Sequence, residues 1–152
     1  MRLRLSEYIT ENDYFLHADM WNTKRFPIKG KVINVGLGES NLLNIAGGLA
    51  RNGETVYVYG VSGFIIHRFE QLKFSARDFG SKQGKIILVN AGAYGYDKLG
   101  AGHKLEDDYD IMDCLDIPFY EPKDLREFLD FLDIIKKKKH GIFYIRLGKD
   151  ES

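Results

Sequence analysis

Three side chains of this 152-residue chain are of types that can do chemistry or bind a ligand: Glu39, Phe64 and His103. A carboxyl group in a dry pocket can exchange a proton with a ligand. Phenylalanine supplies a flat apolar wall against which a flat ligand can stack. Histidine titrates near neutral pH, so it can donate to, or trade a proton with, a substrate oxygen. Each also has an ordinary explanation: an acid in the first turn of a helix, a ring in the core and a surface loop histidine.

Residues 31–71 contain the elements that must position the first two of these side chains. The predicted order is strand 32–35, helix 41–51, strand 55–59 and helix 64–71. The β-branched apolar run of the first strand predicts that it is covered on both faces. Gly36 and Gly38 then permit a turn that a Cβ would obstruct. A right-handed βαβ unit would therefore bring Glu39 and Phe64 to the same edge of a parallel sheet.

The rest of the chain continues the alternation of strands and helices. The pattern predicts strands at 14–20, 85–90, 117–121 and 141–147, helices at 108–115 and 123–136, polar connections at 21–30 and 75–84, and a long glycine-rich loop at 91–103. A loop of that length is more often functional than a plain connector. Continuous apolar strands between helices predict one α/β domain over residues 1–152, a three-layer α/β/α fold with a doubly wound, mostly parallel sheet.

Composition narrows the classes of function. The 22 Lys and Arg residues balance 22 Asp and Glu residues, so no global basic field indicates a nucleic-acid partner. The single cysteine, Cys114, cannot form an internal disulfide, which favours a cytoplasmic protein. No apolar run approaches the ~20 residues that span a bilayer, and the N-terminus lacks the apolar region of a signal peptide. No spacing of His, Cys, Asp and Glu matches a metal-ligand set, so no metal is expected on this chain.

Four short motifs resemble the pyrimidine-binding domain of the transketolase family of thiamine diphosphate enzymes. Residues 34–39 read N-V-G-L-G-E, similar to the family's N-x-G-x-x-E, and residues 46–50 read A-G-G-L-A, similar to its A-x-G-L-A. Residues 59–64 read Y-G-V-S-G-F and residues 69–71 read F-E-Q, as in the family's Y-x-x-S-x-F segment and its continuation. All four agree in order and spacing, so the resemblance implies the thiamine diphosphate-binding fold and its pyrimidine-binding (Pyr) module.

The resemblance implies thiamine diphosphate as the cofactor and gives four residues a place beside it. Glu39 is expected to be catalytic, because its carboxyl group would move a proton onto ring nitrogen N1′ and so make the cofactor's own amino group a base. Phe64 is expected to stack on the pyrimidine ring. Phe69 would be a further pocket wall or part of the core. Asp19 would lie near the cofactor or the dimer seam, or would simply be a turn residue.

The resemblance also implies a substrate site in the glycine-rich loop. His103 corresponds to the histidine of the family's G-P-T-H segment and is expected to be catalytic and substrate-binding; His67 is a second candidate for the substrate. The family's proline and threonine are Ala101 and Gly102 here, and Leu99 takes the place of an aspartate that many sugar-transferring relatives carry. A hydroxylated ketose donor is therefore not supported specifically, and the substrate stays open between small sugars and 2-oxo compounds.

The family's G-D-G…N motif, which holds the diphosphate and Mg²⁺, and its C-terminal domain have no counterpart among these residues. We therefore expect activity, two-carbon ketol transfer or a related carboligation, only with a diphosphate-binding domain of the same longer protein or of a partner subunit. That partner would hold the Mg²⁺, in a homodimer or heterotetramer. Gly47 and Gly48 would allow close helix approach at such an interface or in the core. The alternative is a non-catalytic binding or assembly module that retains the fold.

The glycines of the first turn also allow a different interpretation, a dinucleotide-binding fingerprint. Its third glycine position is Asn41, and Glu39 would place negative charge where a pyrophosphate should lie. The strand at 55–59 ends without the acid that would hold a ribose. These departures argue against a dinucleotide site.

Overall fold

A six-stranded sheet, in which every observed strand pair is parallel, organises the chain. The structure is a computed structural model that describes residues 1–91, 100 and 107–147. Within these residues the strand order is β2-β1-β3-β4-β6-β5. The strands are β1 (Tyr14–His17), β2 (Lys31–Asn34), β3 (Thr55–Val61), β4 (Lys85–Ala91), β5 (Phe119–Tyr120) and β6 (Gly141–Leu147).

Helices lie in four of the five connections between strands, whereas residues 18–30, which join β1 to β2, contain none. The helices are α1 (Arg2–Tyr8), which precedes β1, then α2 (Glu39–Arg51), α3 (Ser62–Ile66), a π-helix (Gln71–Phe79), a short 3₁₀ helix (Gly80–Lys82), α4 (Asp108–Cys114) and α5 (Leu125–Lys136). The helix α1 was not predicted from the sequence. The polar connection predicted at 75–84 was wrong, because Leu72 and Ala76 bury one side of the π-helix against the body of the domain.

Neighbouring residues of the central strands point to opposite faces and fill two separate cores. Leu16, Val58 and Leu88 pack on one face under α2, α3 and the π-helix. Phe15 and Val89, from the same strands, pack on the other face with α1 and α5. The predicted three-layer α/β/α architecture with a parallel sheet is confirmed.

The strand β2 differs from the prediction in its burial. It lies at the edge of the sheet and pairs only with β1. Val32 is exposed and Ile33 only partly buried, so the expected cover on both faces was wrong. An edge strand has one free side, and a short β-branched run cannot distinguish that position from a central one.

The two adjacent glycines of α2 have different surroundings. A Cβ at Gly47 would lie 2.7 Å from the carbonyl carbon of Ser75, so this glycine lets α2 and the π-helix touch backbone to backbone. A Cβ at Gly48 would meet nothing within 4 Å. The close approach expected of Gly47 therefore occurs inside the chain.

Candidate functional site

The carboxyl ends of β1, β2 and β3 lie along one edge of the sheet. His17 is in register with both Asn34 and Tyr59, so β1 and β2 end level while β3 continues to Val61. The chain passes from β1 to β2 on one side and then crosses back to β3 on the other. Ligands of open parallel sheets bind outside the carboxyl edge where the strand order reverses in this way. This edge is the candidate site.

A pair of side chains joins the ends of β1 and β2. The backbone N–H groups of Asp19 and Gly36 each donate to Asn34 Oδ1 at 3.0 Å, and Asn34 Nδ2 donates to Asp19 Oδ1 at 3.2 Å. Asp19 and Gly36 both take left-handed backbone conformations, with φ of 56° and 66°. Aspartate and glycine tolerate this region better than other residues. Asp19 thus holds the turn that leads to α2, beside an open cleft of about 410 Å³ lined by residues 19–24.

Glu39 begins α2 directly after this turn. Gly38 caps the helix with its backbone and offers no side chain, while its carbonyl accepts from the N–H of Leu42 at 2.8 Å. Glu39 is half-buried, and the adjoining Leu37 is almost fully exposed. The positive end of the helix dipole favours a carboxylate at this position. The turn therefore presents one acid and one apolar side chain at the carboxyl edge of the sheet.

Phe64 reaches the same edge from the next strand. The helix α3 follows β3 without a connecting loop, and its Ile65 and Ile66 are buried in the core that also holds Leu42 of α2. Phe64 itself is only partly buried. Because α2 and α3 contact each other over one face of the sheet, the structure brings Glu39 and Phe64 to neighbouring helix starts.

Of three other predicted site residues, two lie after α3 and one lies outside the described residues. His67 and Phe69 follow α3 and are exposed, Phe69 by 41%. His103 lies outside the described residues, as do Leu99, Ala101 and Gly102. Their roles in binding or catalysis stay predictions.

A buried charged cluster, which the sequence analysis missed, lies at the other end of the same edge. Asp108, the first residue of α4, is fully buried. Its carboxylate accepts from Tyr144 Oη at 2.7 Å and from Arg146 Nε at 3.0 Å, and a second guanidinium nitrogen of Arg146 completes a two-point ion pair. Arg146 also donates to Glu121 at 3.1 Å and lies over the ring of Phe119. These contacts fix α4 to β6.

Two members of the cluster, Tyr144 and Arg146, have shifted pKa values. Burial, followed by the negative charge of Asp108, raises the pKa of Tyr144 well above its ordinary value. Burial alone would lower the pKa of Arg146, but its bonds to Asp108 and Glu121 raise it instead. Tyr144 therefore stays a neutral donor and Arg146 a cation. The sequence signal for this cluster was Arg146, a charge inside an otherwise apolar strand.

Two further buried polar side chains lie at this edge. Among the described residues, three of their atoms have no hydrogen-bond partner: both amide atoms of Asn90 and Nδ1 of His17. Burial lowers the pKa of His17, against the opposing charge of Asp19. Nearby, Ser62 Oγ donates to the carbonyl of Ala91 at 3.2 Å. Unpaired buried polar groups are costly, so these positions reduce stability at the edge where a ligand would bind.

The described residues contain neither a cluster of metal-ligating side chains nor a helix that could span a membrane. Residues 1–91, 100 and 107–147 contain no group of three or more His, Cys, Asp or Glu side chains arranged to hold a metal ion. In the same residues, every helix is too short or too polar to cross a lipid bilayer.

Sequence comparison finds related proteins that are longer than this chain. No protein-family model matches. A stretch of 130 residues, 84% of this chain, is 30% identical to an apulose-4-phosphate transketolase subunit of Actinobacillus succinogenes and covers 40% of it. A stretch of 89 residues, 56% of this chain, is 34% identical to an uncharacterized 33.6 kDa protein in the fasciation locus of Rhodococcoides fascians and covers 27% of that protein.

Two transketolase chains of known structure have the same fold. A split-gene transketolase, described as an inactive β4 tetramer, matches 97% of this chain with a TM-score of 0.69 at 22% identity. A transketolase from Campylobacter jejuni matches 90% of this chain with a TM-score of 0.70 at 16% identity.

The chain is a transketolase-like domain. The resemblance read from the four sequence motifs is thereby confirmed. This transketolase-like domain spans less than half the length of each of these relatives, from 22% to 48%.

Proposed function

We propose that this transketolase-like domain is the pyrimidine-binding module of a thiamine diphosphate-dependent enzyme. It would act only with a diphosphate-binding domain, which belongs either to the same longer protein or to a partner subunit. The observation that carries the proposal is the placement of Glu39 and Phe64 at neighbouring helix starts on the carboxyl edge of the sheet. A carboxylate and an aromatic wall are the two groups that an aminopyrimidine ring requires.

The residues at this edge fit the pyrimidine half of the cofactor. Glu39 is half-buried at the start of α2, directly after the turn that the hydrogen bonds of Asp19 and Asn34 hold together. Phe64 keeps part of its ring accessible while the rest of α3 is buried. The diphosphate and its metal ion would be held by the partner domain, as the lack of a G-D-G…N motif in this sequence implies.

Each residue of this chain would have a defined task. Thiamine diphosphate, when bound, supplies an electron sink for carbon–carbon bond cleavage and formation. Glu39 would hydrogen-bond ring nitrogen N1′ and exchange a proton with it, and Phe64 would stack on the ring. Asp19 would act indirectly, by holding the turn that leads to α2, and Phe69 would add apolar surface to the wall of the cofactor pocket. His103 would donate to a substrate oxygen.

The substrate is proposed as a small sugar or 2-oxo compound that undergoes two-carbon ketol transfer or a related carboligation. The name of the Actinobacillus succinogenes relative, an apulose-4-phosphate transketolase subunit, supports a sugar phosphate and a companion subunit. His67 is exposed after α3 and would contact the substrate only where the partner domain covers it. The inactive β4 tetramer formed by the split-gene transketolase supports the expectation that this chain alone is inactive.

A non-catalytic binding or assembly module is the second candidate. It is favoured by the substitutions at Leu99, Ala101 and Gly102, where relatives with sugar-transfer activity carry other residues. The two candidates differ in whether the assembled protein binds thiamine diphosphate, which titration calorimetry measures directly.

Reconstitution tests the proposed function. The chain is mixed with the diphosphate-binding subunit or domain encoded beside it, and cofactor-dependent ketol transfer is followed. Glu39→Gln keeps the size of the side chain and removes the acid, so activity should fall by about 10²–10⁴-fold. Glu11→Gln, on an exposed loop, is the matched control and should leave the rate unchanged. Equal rates for the two variants would remove Glu39 from the mechanism.

A further inference from the structure

A small cavity lies at the edge of the sheet where the strands begin, opposite the edge of the candidate functional site. Its volume is about 110 Å³. Four of its lining side chains come from the starts of β3 and β4: Thr55, Tyr57, Lys85 and Ile87. Thr55 pairs with Lys85, and Tyr57 pairs with Ile87. Because side chains two residues apart on a strand share a face, these four form one patch on the sheet.

Two helix ends and a loop enclose this patch. The other lining residues are Tyr8 at the end of α1, Thr10 and Asp13 in the connection to β1, and Ile135 and Lys136 at the end of α5. Ile135 is buried, whereas Thr10 and Lys136 are exposed. The cavity therefore has apolar surface inside and a polar mouth towards solvent, an arrangement typical of sites for small ligands.

The acidic groups around the cavity already have donors. Asp13 Oδ2 accepts from the backbone N–H and from the hydroxyl of Thr10, at 2.8 Å and 2.7 Å. Asp133 Oδ1 accepts from Tyr8 Oη at 2.9 Å. The hydroxyl protons of Thr10 and Tyr8 are therefore directed at these carboxylates rather than at a ligand.

Other donors of the lining remain in excess. The ammonium of Lys85 donates to the carbonyl of Lys136 at 3.3 Å, which leaves two of its three protons and offsets the negative end of the α5 dipole. Within the described residues, the hydroxyls of Thr55 and Tyr57 donate to no acceptor and neither lysine makes an ion pair. Two ammonium groups against the one carboxylate of Asp13 give the lining a net positive charge.

Burial sets the charge states of the key donors. It lowers the pKa of Lys85; the charge of Asp13 opposes this effect, and the charge of Lys136 adds to it. Burial also raises the pKa of Tyr57, which therefore stays a neutral donor. The lining thus penalises the charge of Lys85, and an anion beside its ammonium group would offset that penalty.

We propose that this cavity binds a small organic carboxylate of about two or three carbon atoms. Its oxygens would accept from Lys85, Tyr57 and Thr55, and its carbons would contact Ile87 and Ile135. The volume corresponds to three or four water molecules at about 30 Å³ each, which fits an acid of this size. Inorganic anions such as phosphate would leave the two isoleucines without an apolar partner. The proposal goes beyond the proposed function and requires neither the cofactor nor Glu39.

Titration of the chain with propionate tests the proposal, by calorimetry and by NMR of ¹³C-labelled lysine side chains. Propionate should bind at a single saturable site, and the pKa of Lys85 should rise on binding. Propionamide, which has the same size and no charge, should bind at least about tenfold more weakly, because hydrogen bonds to a charged group are stronger. Phosphate should also bind more weakly than propionate.

Three variants locate the site. Lys85→Met removes the ammonium group and should weaken propionate binding at least about tenfold. Tyr57→Phe removes one hydroxyl from the cavity and should weaken binding several-fold. Lys137→Met is the matched control, because Lys137 is exposed next to Lys136 and does not line the cavity, so the affinity should not change.

The circular dichroism spectrum of each variant should match that of the wild type, and Tyr57→Phe tests the site even if Lys85→Met fails to fold. A wild-type chain that shows no saturable binding of propionate overturns the proposal. Equal affinities for propionate and propionamide overturn it as well. So does a propionate affinity that Tyr57→Phe and Lys85→Met leave unchanged, or that Lys137→Met lowers to the same extent.

Discussion

Substituting alanine for Gly47 should push α2 away from the π-helix, whereas the same change at the adjacent Gly48 should not. At position 47 the new Cβ would lie 2.7 Å from the carbonyl carbon of Ser75 and 3.4 Å from the backbone nitrogen of Ala76. Carbon atoms prefer about 3.5–4.0 Å, and the atoms in the way belong to a backbone that cannot rotate aside. The two helices must therefore separate or shift.

The magnitude follows from two opposing effects. Overpacking of a well-packed interior costs about 1–3 kcal/mol, occasionally more, and the gain from replacing a helical glycine by alanine is about 0.5–1 kcal/mol. With the clash directed at backbone, Gly47→Ala should lower the free energy of unfolding by about 2 kcal/mol. Gly48→Ala meets nothing within 4 Å and should raise it by about 0.5–1 kcal/mol.

Urea unfolding followed by circular dichroism measures both variants against the wild type. The expected difference between them, about 3 kcal/mol, exceeds the uncertainty of linear extrapolation for mutants of equal slope. Thermal unfolding should show the same order, with a shift of about 2–4 °C for each kcal/mol in a domain of this size. If both variants shift in the same direction, or if Gly47→Ala stays within about 0.5 kcal/mol of the wild type, the backbone contact between α2 and the π-helix is not as described.

Three further predictions concern buried polar groups. Asp108→Asn should lower the free energy of unfolding by about 3–5 kcal/mol, because it leaves the charge of Arg146 partly uncompensated. Asp110→Asn, at an exposed position of the same helix, should change the free energy of unfolding little. Equal effects of the two substitutions in urea titrations would refute a special role for Asp108. Asn90→Leu removes two buried polar atoms that have no hydrogen bond within the described residues, so stability should stay unchanged or rise. A clear loss in melting temperature would show that the amide has a partner. Because burial lowers the pKa of His17 in the folded state, the unfolded chain binds the proton more tightly. The free energy of unfolding should therefore fall as the pH drops below about 6.5. His17→Phe should flatten that decline, and a variant with the same pH profile as the wild type would contradict the prediction.

The sequence predicted the architecture because strand and helix signals alternated clearly. Continuous apolar runs at 85–90 and 141–147 became the central strands β4 and β6. The sequence-based prediction failed where the same residue pattern is compatible with two different structures. The residues that form the π-helix contain enough polar side chains to resemble a connection, and no spacing rule distinguishes hydrogen bonding to the fifth residue from a loop.

The candidate site was predictable only where its residues are close in sequence. Glu39 follows a glycine turn after a strand, which is a local signal. The bond between Asp19 and Asn34 joins residues 15 positions apart through the pairing of β1 with β2, and nothing local predicts it. Asp108 begins the predicted helix 108–115, and no local pattern marks it as buried. Its burial follows from Arg146, which is 38 residues later in the chain.

The proposed function depends most on the proton that Glu39 would exchange with the pyrimidine ring. Hydrogen–deuterium exchange at C2 of thiamine diphosphate, followed by proton NMR in the complex of this chain with its diphosphate-binding partner, measures that step without a substrate. The wild-type complex should exchange far faster than free cofactor, and Glu39→Gln should slow the exchange by about 10²–10⁴-fold while calorimetry still detects bound cofactor. An unchanged exchange rate in a Gln variant with full cofactor occupancy would contradict the assignment of Glu39.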